Sequence, residues 1–407
     1  MFASGVHDSR YSWARLGATL LIAIAGNVGL WSYILMLPAV QADFGLDRAG
    51  ASMPYTFTML GFAAGNLLIG RAIDRFGVTQ ALIGAAMTVA AGFTTASLAQ
   101  GFTGFAVLHL AIGVGTAAGF GPLMADISHW FVRHRGKAVA VVASGNYLSG
   151  ALWPFILDDI VAADGWRAAY RLIAISVLVT VVPLALLLRR RVPAEATRAA
   201  ETAARARVAE LGISPRQLGL ILAAAGVATC VAMSMPQVHI VALCADLGYG
   251  PAIGAEMLSL MLAGGVVSRL VSGVAADRFG GVPTLLAGSM LQCLALFLYL
   301  PFDGLTSLYV VSLVFGLSQG GIVPCYAVIV REYMPAREAG ARVGFVIMAT
   351  ILGMAIGGWM SGWIYDLTGS YRMAFVNGIV WNAFNIIVMA TLILRSRGPG
   401  ARHARLA

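Results

Sequence analysis

Ionisable side chains are scarce inside the apolar segments of this 407-residue chain, and Arg269 is the one whose chemistry is easiest to name. It lies eight positions before Asp277, about 12 Å along a helix from the nearest polar turn. Burying a guanidinium at that depth costs at least about 2.5 kcal/mol, so the group should face a cavity or a partner. Glu256, the acid nearest before it, is 13 residues away, roughly 20 Å along a helix. No other acid of similar depth stands out in the sequence. A cation so placed suits an anionic ligand, and the planar fork fits a carboxylate bidentately. A snorkelling or structurally paired arginine is the alternative.

A second group of charges is duplicated. Gly70-Arg71-Ala72-Ile73-Asp74-Arg75-Phe76-Gly77 returns as Gly273-Val274-Ala275-Ala276-Asp277-Arg278-Phe279-Gly280, with Asp74 and Asp277 203 positions apart. In each copy the aspartate can accept from backbone N–H groups at the start of a neighbouring helix. Arg75 and Arg278 can pair across the bundle, and such contacts, made in one state and broken in another, would form a gate latch. The same offset makes Asn66 the mate of Arg269, an amide where the other half has a fixed cation. Asn27, Trp31, Tyr33, Tyr147, Gln237, Gln319 and Tyr326 could complete a small polar pocket in an apolar wall. His109 and His239 are candidates for proton coupling, although a lone histidine in a helix is more often a packing residue. Asp126 falls near a segment end and joins the latch with nearby arginines.

The elements that must hold these groups are membrane helices. The chain is 59% hydrophobic and 11% charged, with a mean hydropathy of +0.83, far from soluble composition. Twelve apolar segments are long enough to cross a bilayer: residues 16–40, 52–73, 79–98, 105–127, 138–160, 168–188, 218–243, 253–275, 283–300, 305–330, 343–364 and 374–394. Lipid leaves backbone polar groups no water, so helices are expected. The polar stretch 189–216 reads as a linker between an N-terminal six-helix bundle, 1–188, and a C-terminal one, 217–407. Of 27 basic residues, 22 sort to one side of the segments and four to the other. The positive-inside rule then puts both termini in the cytoplasm. The net charge of +9 reads as a basic face against an anionic leaflet and not as a nucleic-acid site. The first apolar run is too long for a signal-peptide core, so it is expected to stay in the protein.

The duplicated Gly-x-x-x-Asp-Arg-x-Gly resembles the signature of the major facilitator superfamily, and the resemblance extends over essentially the whole chain. It implies twelve helices in two pseudo-symmetric six-helix halves, with the substrate site between them and transport by alternating access. A narrower likeness rests on Arg269, on Trp130-Phe131 with Arg133, Arg135 and Gly136, on Gly145, Gly150 and Pro154, on Gly165-Trp166-Arg167, and on Tyr365-Asp366-Leu367-Thr368-Gly369-Ser370-Tyr371. These look like the monocarboxylate porter group, which includes oxalate/formate-type exchangers. By that likeness Arg269 binds a substrate carboxylate. Two features depart from the group. The acid that animal members carry four residues earlier is Gly265, and the only lysine is Lys137, far from the eleventh segment. A singly charged acid is therefore favoured over a doubly charged one.

No P-loop, HExxH or GxSxG pattern is present, so neither ATP-driven transport nor an enzyme is indicated. Cys230, Cys244, Cys293 and Cys325 fall in apolar segments without metal spacing, so no cofactor or metal is expected. The reading is an all-α secondary carrier of the inner membrane, moving a small organic anion, coupled by proton symport or exchange and working as a monomer. Its rivals are efflux of a hydrophobic drug or metabolite, a non-transporting solute sensor signalling through 189–216, and a structural assembly protein.

Overall fold

The computed structural model describes residues 7–46, 48–190, 202 and 211–396. Most of the stretch 189–216 lies outside them, and so does the linker expected there. Twelve helices are long and apolar enough to cross a membrane: Arg10–Leu37, Met53–Phe76, Val78–Ser97, Phe102–Ile127, Arg135–Leu157, Asp159–Leu187, Pro215–Asp246, Glu256–Phe279, Gly281–Leu298, Leu305–Tyr333, Ala339–Thr368 and Tyr371–Arg395. We number them spans one to twelve. No strand occurs among the described residues. The protein is a multi-pass membrane protein.

Sequence chemistry sets where these helices turn. The helical stretch Arg135–Leu187 is interrupted at Gly165, whose φ of 80° ends span five and starts span six. The duplicated motif is repeated in backbone torsions as well as in residues. Gly77 (φ 90°, ψ 161°) and Gly280 (φ 90°, ψ 164°) cap the starts of spans three and nine in one conformation. That region is open to glycine and closed to most L side chains, which is why each copy ends in glycine.

The chain forms two compact units. The first holds residues 1–133, 141–200 and 335–348; the second holds 134–140, 201–334 and 349–407. The start of span eleven thus packs with the first unit, and the start of span five with the second. Within the first unit, span four packs on spans two and three; within the second, span eight packs on span ten and span twelve on spans seven and nine. The pairs are flush because glycine removes the side chain between backbones. A Cβ added to Gly113 of span four would lie 2.1 Å from the Thr58 carbonyl oxygen of span two. One added to Gly320 of span ten would lie 2.1 Å from that of Gly265 in span eight.

Three spans are broken along their length. Span one parts at Asn27, between helices Arg10–Gly26 and Val28–Phe44. In span four, helix Phe102–Thr116 gives way to a 3-10 turn, Ala117–Gly119, before helix Gly121–Ile127. Helix Leu305–Gln319 of span ten stops before Gly320 and Gly321, and Ile322–Tyr333 follows. Gly119-Phe120-Gly121-Pro122 and Gly321-Ile322-Val323-Pro324, 202 positions apart, supply the interruption in both halves. Proline withholds an N–H and collides with the preceding turn, and glycine adds freedom beside it.

Candidate functional site

The breaks in spans four and ten are each met by one member of the repeat-matched pair Asn66 and Arg269. In the first unit the Gly121 N–H donates to Asn66 Oδ1 (3.1 Å), while Asn66 Nδ2 donates to the Phe62 carbonyl (2.8 Å). In the second unit, Arg269 occupies the corresponding place. It is only 4% exposed, and its Nε donates to the Gly320 carbonyl at 3.1 Å. The Gly321 N–H donates to Ser268 Oγ (3.3 Å), so span eight reaches the span-ten break through two consecutive residues. Gln319, the last residue before that break, is 1% exposed, and neither atom of its amide finds a partner among the described residues. A buried amide left unpaired costs about 1–3 kcal/mol. The break in span ten thus has a buried cation bonded to its backbone at Gly320 and, one residue earlier in the chain, a buried amide with no partner among the described residues. That set can hold an anion carrying a further polar group.

Other candidates are committed within the protein. Asn27 Nδ2 donates to the carbonyls of Ala23 (2.7 Å) and Gly119 (2.9 Å), and its Oδ1 accepts from Asn146 Nδ2 (3.2 Å). Trp31 Nε1 donates to the Asn146 carbonyl (2.9 Å), so the break in span one is stitched to spans four and five. Tyr33 is buried edge-on against His109, with ring centroids 5.2 Å apart. Tyr147 and Gln237 are half-buried, and Gln237 Nε2 is without a partner among the described residues.

Tyr326 is fully buried and donates to Asn385 Oδ1 (2.9 Å). It belongs to a network the sequence reading missed. Asn385 Nδ2 donates to Ser289 Oγ (2.6 Å), Asn382 Nδ2 to the Ser289 carbonyl (2.7 Å), and Gln292 Nε2 to the Thr229 carbonyl (3.1 Å). The signal available was Asn382-x-x-Asn385, two amides on one face of an otherwise apolar segment.

Both candidate histidines are hydrogen-bonded through both ring nitrogens. His109 Nδ1 meets the Phe105 carbonyl (2.9 Å) and its Nε2 meets the Tyr170 hydroxyl (2.9 Å). His239 Nε2 meets the Gly358 carbonyl (2.8 Å) and its Nδ1 the Tyr371 hydroxyl (3.2 Å). A carbonyl only accepts, so the nitrogen facing it carries the hydrogen and the other ring nitrogen accepts from tyrosine.

The duplicated aspartates each grip a helix start. Asp74 accepts from the N–H groups of Gly340 (2.9 Å) and Ala341 (2.8 Å), where span eleven begins. Asp277 accepts from those of Gly136 and Lys137 (3.1 Å), where span five begins. The helix dipole and its unpaired N–H groups favour a carboxylate at this position. The glycines of the motif explain the close approach. A Cβ on Gly70 would meet the Gly340 carbonyl oxygen at 2.3 Å, and one on Gly340 would meet that of Gly70 at 2.3 Å; Gly136 and Gly273 repeat the arrangement.

Arg75 and Arg278 form no ion pair among the described residues. Both are exposed, and each guanidinium lies over the ring of its own neighbour, Phe76 or Phe279, an aromatic face that attracts a cation. Asp126 pairs with Arg15 at 2.8 Å, and Arg15 is buried over Trp130.

Comparison with known proteins identifies the fold's lineage. The family model described as Major Facilitator Superfamily matches residues 19–240 and 220–406. The chain belongs to the Major Facilitator Superfamily. Among its relatives, the Bos taurus protein named monocarboxylate transporter 13 is 27% identical over 76% of this chain and 72% of its own length. The agnestins efflux protein AgnL12 of Paecilomyces divaricatus is 24% identical over 86% of this chain and 80% of its own. Among solved structures, a proton:xylose symporter bound to 6-bromo-6-deoxy-D-glucose superposes with a TM-score of 0.73 at 14% identity, covering 93% of this chain and 94% of the other. The relatives and structural neighbours of this Major Facilitator Superfamily member are transporters, not enzymes.

Proposed function

We propose that this protein is a secondary active carrier of a small organic anion, a monocarboxylate first of all, working by alternating access. One observation carries the reading: a buried guanidinium, Arg269, bonded to the interrupted backbone of span ten at Gly320, next in sequence to Gln319, whose buried amide has no partner among the described residues. The relative named monocarboxylate transporter 13 supports it. In this reading Arg269 anchors the carboxylate and Gln319 meets the rest of the acid. Gln237 and Tyr147 are further contacts, and Asn27, Tyr33 and Tyr326 shape the wall.

Asp74 and Asp277 hold the starts of spans eleven and five in one state and release them in the other, with Arg75 and Arg278 beside them. The carrier sits in the cytoplasmic membrane as a monomer with both termini in the cytoplasm, as the distribution of its basic residues favours. Transport is coupled by proton symport or by exchange of one acid for another. The test is uptake of labelled lactate, pyruvate, acetate, formate and oxalate into proteoliposomes, with and without a pH gradient. Saturable uptake of a monocarboxylate that Arg269→Ala removes is the expected result. Unchanged uptake in that variant would take Arg269 out of the site.

A second reading, efflux of a hydrophobic metabolite, is favoured by the likeness to the agnestins efflux protein. It predicts that carboxylates neither enter nor compete, and that Arg269→Ala is without effect.

A further inference from the structure

Six polar side chains are fully buried between four helices of the second unit: Thr229 of span seven, Ser289 and Gln292 of span nine, Tyr326 of span ten, and Asn382 and Asn385 of span twelve. Their hydrogen bonds run from helix to helix. Tyr326 donates to Asn385, while Asn385 and Asn382 donate to the hydroxyl and the carbonyl of Ser289. Gln292 donates to the Thr229 carbonyl, and Thr229 Oγ1 donates to Asn382 Oδ1 at 3.3 Å. The six form one connected set.

The helix packing itself does not require them. At the matched places the first half carries Gly26, Ala86 and Val89, 203 positions earlier, Met124, 202 earlier, and Val177 and Thr180, 205 earlier. Gly26, Ala86, Val89 and Val177 line a cavity of about 10 Å³ there. One half thus closes the same helices with apolar side chains and a void, and the other with amides and hydroxyls. Polar groups at membrane depth are costly, and they are kept where they bond across helices or serve function.

The half with the polar set is also the half with Arg269. Among the described residues of the second unit, the buried side-chain nitrogen and oxygen atoms without a partner belong to Gln237 of span seven and Gln319 of span ten. Both spans are tied by the polar set, through Thr229 and Tyr326. A buried amide turns toward any partner in reach, so one that stays unpaired has to be held there by its surroundings. Gly288, the neighbour of Ser289, reaches the break directly. A Cβ placed on it would lie 3.3 Å from the Ile322 side chain and 3.5 Å from the Ser318 carbonyl oxygen, the two residues that flank Gln319-Gly320-Gly321. Span nine therefore sits against both arms of broken span ten. Ser289 fixes span nine to span twelve, and Tyr326 fixes the second arm, Ile322–Tyr333, to the same helix.

We infer that Thr229, Ser289, Gln292, Tyr326, Asn382 and Asn385 are positioning residues that hold the span-ten break rigid and keep the Gln319 amide unpaired for the substrate, a role deepening the carrier reading above and resting on it. The substrate then meets a polar group already stripped of partners and already aimed, which lowers the ordering cost of binding. Once the frame is loosened, Gln319 relaxes onto the protein and the substrate has to compete with that internal bond.

The test is a double-mutant cycle on the purified protein in detergent, without substrate. Gln319→Leu should raise the melting temperature of the otherwise wild-type chain by about 1–3 °C. In a Ser289→Ala or Tyr326→Phe background the same change should give no rise or a fall, because the amide has found a partner. Ser289→Thr keeps the hydroxyl and should preserve the rise. Trp153→Phe removes a buried donor in the first unit, from the Ile24 carbonyl, and should lower the melting temperature while leaving the gain from Gln319→Leu intact. An equal gain in every background overturns the inference, as does no gain in wild type or a gain lost in the Trp153 control too. The second measurement is lactate uptake into proteoliposomes. Ser289→Ala should raise the half-saturating concentration about three- to tenfold and leave the maximal rate per folded protein within about twofold. A merely structural set would lower the amount of folded protein and leave half-saturation where it was, and that result overturns the positioning role. If wild type moves no carboxylate, the carrier reading falls and the melting cycle alone judges the frame.

Discussion

Two buried polar residues meet the span-ten break in different states. Arg269 donates to the Gly320 carbonyl, whereas the amide of Gln319, the preceding residue, has neither donor nor acceptor satisfied among the described residues. If a substrate carboxylate completes this pair, Arg269→Ala should cost about 1.5–3 kcal/mol of binding, or roughly ten- to a hundredfold in half-saturating concentration, measured as uptake or as ligand-induced thermal stabilisation. Arg269→Lys keeps the charge and loses the fork, so its uptake should fall between the two. Gln319→Leu should move stability and transport in opposite directions. Removing an unpaired buried amide should stabilise the ligand-free protein by about 1 kcal/mol or more, read as a higher melting temperature in detergent, while carboxylate uptake drops. A variant that is less stable than wild type would mean that the amide has an internal role.

Helix starts and helix breaks are the working elements here. The clamp at each duplicated motif needs an aspartate to receive N–H groups and two facing glycines to let backbones meet. Gly136→Ala and Gly340→Ala each push a Cβ to 2.3 Å from a carbonyl oxygen, of Gly273 and Gly70 respectively. Both substitutions should destabilise by about 1–3 kcal/mol in thermal unfolding, and by similar amounts, because the geometry is repeated. Gly17→Ala, on a helix with nothing within 4 Å of the added Cβ, serves as the control and should be neutral or slightly stabilising. Equal behaviour of all three would show that the glycine contacts are slack. The Asp–helix contacts could be foreseen from the motif, because a carboxylate at a helix end seeks unpaired N–H groups. Their owners could not, because Gly136 of span five lies 141 residues before Asp277 and Gly340 of span eleven 266 residues after Asp74.

At the scale of the whole molecule, charge asymmetry and internal duplication are the two facts that reach furthest. Twenty-two of 27 basic residues gather on one side of the spans, which predicts that a fluorescent protein fused after Ala407 glows in cells while a phosphatase fused there stays inactive. The reverse pattern would invert the orientation. Duplication of residues implied duplication of structure, and the matched torsions of Gly77 and Gly280 carry it to the backbone. Twelve spans, their approximate limits and the family were legible from hydropathy and one repeated phrase, because lipid permits few alternatives to helix. Arg269 and Gln319 were legible as polar residues at depth. The hydrogen bond from Arg269 to the broken backbone after Gln319 was not, since nothing in either local stretch fixes which helix faces which.

What the sequence determined alone is whatever depends on composition and on neighbours along the chain: membrane helices, the duplicated turns, and a cation at depth in span eight. Tertiary structure decided which polar groups are already spent. Asn27 and Tyr326 find partners 92 and 59 residues away, and Arg15 is buried against Asp126. Hydrogen bonds between helices are settled by distances that only packing sets, and two halves descended from one pattern can satisfy the same residue in different ways.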